Sequence, residues 1–213
     1  MKKNLTELVF ILDRSGSMHG LEDDTIGGFN SFIEKQRDVD GECLVSTVLF
    51  NSRSEVVHDR ISLNEIDKMT RKDYVPSGST ALIDAMGDAI HHIRNAHKYI
   101  RKEDVPEHII FVIITDGQEN DSHHYTSDEV KRMVSKQKEK GWEFLFLGAN
   151  IDAVETAKQY GIHPDRATNY ICDEEGVKMN FACLSKAVKE CRVGGSIDDR
   201  WAAEIREDYE ARR

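Results

Sequence analysis

Three stretches of the chain gather oxygen-bearing side chains at spacings that could do chemistry. Asp13-Arg14-Ser15-Gly16-Ser17 closes an apolar run with a carboxylate and two hydroxyls at alternate positions. Ile114-Thr115-Asp116-Gly117 ends a second apolar run on a threonine and an aspartate. Gly78-Ser79-Thr80-Ala81-Leu82 sets a threonine just ahead of a helical pattern. Alternate residues of an extended chain point to one side, and Gly16 would let the backbone turn so that Ser15 and Ser17 face one centre. Asp13, Ser15, Ser17, Thr80 and Asp116 then offer only oxygen, with no imidazole or thiolate. Such a set suits a hard divalent cation, Mg²⁺ or Mn²⁺, over zinc or copper. For the first stretch alone, helix-capping serines and a solvated strand end are an equally good account, because Asp and Ser are common in loops.

The elements that must position these groups read as an open α/β sheet. Leu8–Leu12, Leu44–Phe50, Ile109–Ile114 and Phe144–Leu147 are short, nearly continuous apolar runs, the pattern of strands buried on both faces of a parallel sheet. Helical stripes lie between them: Ile26, Phe29 and Ile33; Leu82, Met86, Ala89 or Ile90, and Ile93; and Val130, Met133 and Val134 behind a Thr126–Glu129 capping box. A helix over 151–160, a weak strand over 167–172 and a helix carrying Val177, Phe181, Leu184 and Val188 follow. Only the four residues 51–54 separate the strand ending at Phe50 from the extended stretch 55–61, too few for a parallel crossover. That pair is therefore a hairpin. The expectation is a Rossmann-like open sheet, mostly parallel, with one antiparallel edge strand and helices on both faces. Ligands of such sheets bind beyond the carboxyl ends of the strands, where all three oxygen-rich stretches fall.

With this context, DRSGS, the Thr80 of GSTAL and the Asp116 of ITDG resemble the metal-ion-dependent adhesion site (MIDAS) of the von Willebrand factor A domain family, complete at five positions. The resemblance implies that Ser15 and Ser17 bind the metal directly, Thr80 directly or through water, and Asp13 and Asp116 mostly through water. It also implies a partner protein whose acidic side chain supplies the last ligand, and an interaction module rather than an enzyme. A haloacid-dehalogenase-like phosphohydrolase is the alternative, but such sites carry a second Asp where Ser15 stands, and serine does not supply a proton readily at neutral pH. A structural domain with a vestigial site is the third reading.

Size and charge bound the rest. At 213 residues the chain suits one domain, taken as 1–193, followed by an amphipathic helical tail, 194–213, expected to pack on it through Ile197, Trp201 and Ile205, with Ser196 and Asp199 as a capping pair. The 29 basic residues are dispersed among 39 acidic ones, for a net charge of −10, which argues against nucleic acid and anionic membranes as partners. The short apolar segment near Met1 lacks signal-peptide features, so a cytoplasmic protein is expected. Cys43, Cys172, Cys183 and Cys191 show no metal-site spacing and read as buried thiols. Met18, His19, Asn120, His123 and His124 are expected to line the rim of the site, the histidines solvated. Gly27 and Gly28 are expected to let their helix pack closely on the sheet.

Overall fold

A computed structural model describes all residues, 1–213. Six strands form one sheet in the order β3-β2-β1-β4-β5-β6. They are β1 (Lys2–Asp13), β2 (Glu42–Phe50), β3 (Ser54–Ser62), β4 (Pro106–Thr115), β5 (Glu143–Gly148) and β6 (Ala167–Asn169). All neighbours are parallel except β2 and β3, so the hairpin is the antiparallel edge. The weak last strand is only three residues long.

The helices are α1 (Glu22–Arg37), α2 (Leu82–Tyr99), α3 (Ser127–Lys138), α4 (Ala153–Gln159), α5 (Glu174–Arg192) and α6 (Ala203–Arg212). None is long and apolar enough to cross a membrane. Along β1, Leu8, Phe10 and Leu12 enter a core shared with α1, α5 and α6, while Val9 and Ile11 enter a second core under α2, α3 and α4. Burial on both faces is why the strands read as unbroken apolar runs. Both hydrogen bonds of the capping box at Thr126 and Glu129 are present.

The Gly27-Gly28 expectation needs correction. A Cβ on Gly28 would lie 2.2 Å from the Phe181 ring, so this glycine admits α5 rather than the sheet, whereas one on Gly27 would meet nothing within 4 Å. The two should respond oppositely in thermal or denaturant unfolding. Gly27→Ala is expected to stabilise by about 1 kcal/mol through helix propensity. Gly28→Ala is expected to destabilise by about 1–3 kcal/mol through overpacking. Equal effects at both positions would contradict this packing.

At the C-terminal end Ile197, Trp201 and Ile205 are buried, and the Trp201 indole donates to the carbonyl of Asp165. The capping pair placed at Ser196 and Asp199 does not form. The helix begins only at Ala203, and the Asp199 carboxylate instead accepts from Arg166 at 2.6 Å. A charge-assisted bond to a guanidinium outweighs one backbone cap. Cys43, Cys183 and Cys191 are buried and Cys172 partly so, all as free thiols. Burial pushes the Cys43 thiol up to about 11.

A fully buried carboxylate, Glu7 on β1, lies below the centre of the sheet between Arg60 of β3 and His97 of α2, bonded to both. A register shift in the β2–β3 pairing accompanies the positive φ of Arg60 (51°), whose amide donates to the Ser46 hydroxyl. Such irregularities re-aim side chains.

Candidate metal site at the carboxyl end of the sheet

β1 ends at Asp13 and β4 at Thr115, adjacent strands whose carboxyl ends open on the same side. Asp13 is 2% exposed and anchors the first loop. Its Oδ1 accepts from the amide of Ser15 at 2.7 Å, and its Oδ2 from the hydroxyl of Thr115 at 2.6 Å. Ser15 Oγ and Ser17 Oγ lie 3.1 Å apart, and Ser17 Oγ donates to Asp116 Oδ1 at 2.7 Å. A continuous chain of oxygens therefore runs from the first loop to the end of β4. Burial, and after it the charge of Asp13, push the Asp116 carboxyl above the usual carboxylate range, against the lowering effect of the Ser17 hydroxyl.

Neither serine caps a helix. Ser15 precedes a short 3₁₀ turn, Gly16–Met18, without a side-chain cap bond, and α1 starts after Leu21. The capping account of DRSGS fails on that observation. Gly16 also differs from expectation: it is not in the left-handed region, and the 3₁₀ turn itself brings Ser17 back beside Ser15. A Cβ on Gly16 would stand 3.4 Å from the carbonyl of Gly78, which accepts from the Gly16 amide at 3.0 Å.

Thr80 arrives from the third loop. A Cβ on Gly117 would be 3.9 Å from Thr80 Oγ1 and 4.0 Å from Ser17 Oγ, so both hydroxyls border the bare face of this glycine. All five predicted residues are thus brought to one end of the sheet. The loops are stitched together by backbone bonds, Arg14 to Phe50, Ser77 to Arg14 and Ala81 to Asn51. From the end of β5, Asn150 donates its side-chain amide to the Asp116 carbonyl.

One expected rim residue differs. Met18 is buried in the core, because the 3₁₀ turn points it inward next to Leu12. His123 and His124 are solvated as expected, with side chains 78% and 77% accessible; their amides donate to Asp84, and their rings lie 3.4 Å from Asp121 and 3.7 Å from Asp84 respectively. No three side chains of His, Cys, Asp or Glu are grouped so that they alone could hold a metal ion. The cluster at the sheet end has two carboxylates, its other oxygens being hydroxyls.

Sequence reasoning missed several supports. The buried Tyr74 donates its hydroxyl to the Asp13 carbonyl, and Tyr170 does the same to the Thr115 carbonyl. A lone aromatic in the polar stretch DKMTRKDYVP was the available signal for Tyr74. Asp84 and Glu119, which organise the loop after Asp116, carried no signal beyond an acidic residue in the first turn of an apolar helix and another in a polar loop.

The von Willebrand factor type A domain description matches residues 7–179. The chain belongs to the von Willebrand factor type A (VWA) domain family. Solved structures share the VWA fold at low identity. Proximal thread matrix protein 1 from the mussel byssus aligns at 14% identity and TM-score 0.62, over 89% of this chain and 47% of that one. The same mussel protein has been solved with a zinc-occupied MIDAS motif (12% identity, TM-score 0.58, covering 89% and 47%). Manganese-loaded TRAP protein of Plasmodium vivax aligns at 19% identity and TM-score 0.58, over 85% and 74%. The VWA domain of the pilus tip protein Mfa5 from Porphyromonas gingivalis aligns at 10% and 0.63, over 91% and 98%. This VWA chain spans about half the length of the mussel protein. No curated protein sequence matches it.

Proposed function

We propose that this VWA domain is a divalent-cation-dependent protein-interaction module. Asp13, Ser15, Ser17, Thr80 and Asp116 hold the ion, and residues 1–193, with the helical tail docked, form the working unit. The observation that carries this reading is the oxygen chain Ser15–Ser17–Asp116, with Thr80 beside it across the bare face of Gly117. The donor set is hard and only two of its groups are anionic, which favours Mg²⁺ or Mn²⁺ and leaves a bound cation electron-poor. When bound, the ion supplies a positive centre that draws a carboxylate from a partner protein. Structural neighbours loaded with manganese and zinc support a divalent site of this general kind. Domains of this family generally serve protein interaction rather than catalysis.

The phosphohydrolase alternative is disfavoured by Asp13 itself. Both its oxygens accept protein hydrogen bonds and its side chain is almost wholly buried, a poor setting for an attacking carboxylate.

Calorimetric titration of Mg²⁺ and Mn²⁺ into metal-stripped protein tests the reading. Saturable binding with one ion per chain is expected. Absence of any heat or melting shift with either ion would refute it.

A further inference from the structure

Helix α2 has no N-cap of its own: Ala81 occupies the cap position and no side chain there receives the first amides. Residues of the loop after Asp116 take them instead. Ile83 N donates to Glu119 Oε2 at 2.8 Å, and Asp84 N to Ser122 Oγ at 3.0 Å. Glu119 also folds this loop on itself, its Oε1 accepting from the amides of Asp121 and Ser122 and its Oε2 from the Ser122 hydroxyl.

The exchange is reciprocal. Asp84, 8% exposed, accepts from the amides of His123 at 2.8 Å, His124 at 3.0 Å and Tyr125 at 2.9 Å. Helix and loop therefore cap each other, through charge-assisted bonds in both directions. Gly87, one turn further along α2, completes the seat: a Cβ there would stand 2.5 Å from the Tyr125 ring. The latch reaches the site through Asn120, whose Oδ1 accepts from the Thr80 amide at 2.9 Å and whose own amide donates to the Thr80 carbonyl at 3.0 Å.

We propose that Asp84 and Glu119 are positioning residues. Their reciprocal cap holds Thr80, by way of Asn120, beside Ser17 and Asp116, and so sets how tightly the site holds a divalent cation. This rests on the metal-binding reading above. The physical effect is preorganisation: a Thr80 already fixed costs the ion nothing to order, whereas a released loop draws that ordering cost from the binding free energy.

The experiment combines Mn²⁺ titration with amide hydrogen exchange of the metal-free protein. It compares the wild type with Asp84→Asn, Glu119→Gln and Asn120→Ala, and with Asp84→Asn in the Asn120→Ala background. Asp84→Asn is expected to speed exchange at residues 123–125 while the sheet amides keep their protection. Its Mn²⁺ dissociation constant is expected to rise about tenfold, the same for Glu119→Gln, and by clearly less in the Asn120→Ala background, where one of the two bonds to Thr80 is already gone and only the backbone bond remains. A mere loss of nearby charge would weaken Mn²⁺ just as much in the Asn120→Ala background, and that result overturns the proposal. So does Mn²⁺ binding in Asp84→Asn and Glu119→Gln as tight as in the wild type. A wild type that binds no Mn²⁺ refutes the metal reading and the proposal with it, whereas failure of the proposal alone leaves wild-type binding intact.

Discussion

Asp116→Asn is expected to weaken Mn²⁺ or Mg²⁺ binding by roughly a hundredfold, about 2.7 kcal/mol, while raising the melting temperature of the metal-free protein. The two changes share one cause. Asp116 is 2% exposed, and burial together with the charge of Asp13 raises its carboxyl above the ordinary range. A carboxyl raised on folding binds its proton more tightly in the folded than in the unfolded chain. The metal-free fold therefore loses stability as pH rises from the unfolded pKa through the folded one, and carries the full penalty above the folded pKa. Asparagine removes that penalty and can still accept from Ser17, but it also removes one of only two anionic groups that would face the cation. Calorimetry and thermal melting with and without chelator read both effects. Wild-type affinity in the variant would remove Asp116 from the site. Asp13→Ala is a less clean test, because it strands the Ser15 amide and the Thr115 hydroxyl, at about 1–3 kcal/mol for each buried donor.

Glu7→Ala is expected to be among the most damaging single substitutions for stability, costing about 3–5 kcal/mol in denaturant unfolding. Glu7 is wholly buried and faces Arg60 and His97, whose side chains are 20% and 10% exposed. Removing it leaves a guanidinium inside the protein without a counter-charge. Replacing Glu7 and Arg60 together by Leu and Met should recover most of the loss, since the cost lies in the stranded charge more than in the lost pair. The exposed pair Arg71–Asp23 provides the contrast: both side chains are about 70% accessible, and breaking it should leave the unfolding midpoint unchanged. A small effect at Glu7, comparable to that at Asp23, would mean the buried pair is hydrated in solution.

The parts of this molecule that were legible in the sequence are those set by short-range pattern. Apolar runs marked β1, β2, β4 and β5; the brief 51–54 connection forced the hairpin; and the S/T-x-x-E spacing at Thr126 located α3. Of the five residues proposed for the site, four were legible because they end or follow such a run, and Thr80 because it stands just ahead of a helical stripe. What stayed hidden depends on long-range pairing. Asp84 looks like one acidic residue in a helix until residues 123–125 are folded against it, and Tyr74 finds the Asp13 carbonyl 61 residues away. The start of α6 was misplaced for the same reason, because Arg166 claims the aspartate that local spacing had assigned to a cap. Gly28 announced a close approach but not its partner, Phe181 on a helix about 150 residues later.

The register of β1 carries a consequence for the order in which the protein assembles. Its residues Leu5–Asp13 pair with Glu42–Phe50 on one side, but their other neighbours, beginning at His108 opposite Thr6, lie about a hundred residues along the chain. The segment with Asp13, Ser15 and Ser17 is made first, yet Thr115 and Asp116 join it only after β4 has closed this long loop, a non-local step of the kind that slows folding. The oxygen cluster is thus a property of the finished sheet. A cation that needs the whole cluster can bind only after that closure, so it is expected to retard unfolding and to leave the speed of folding unchanged.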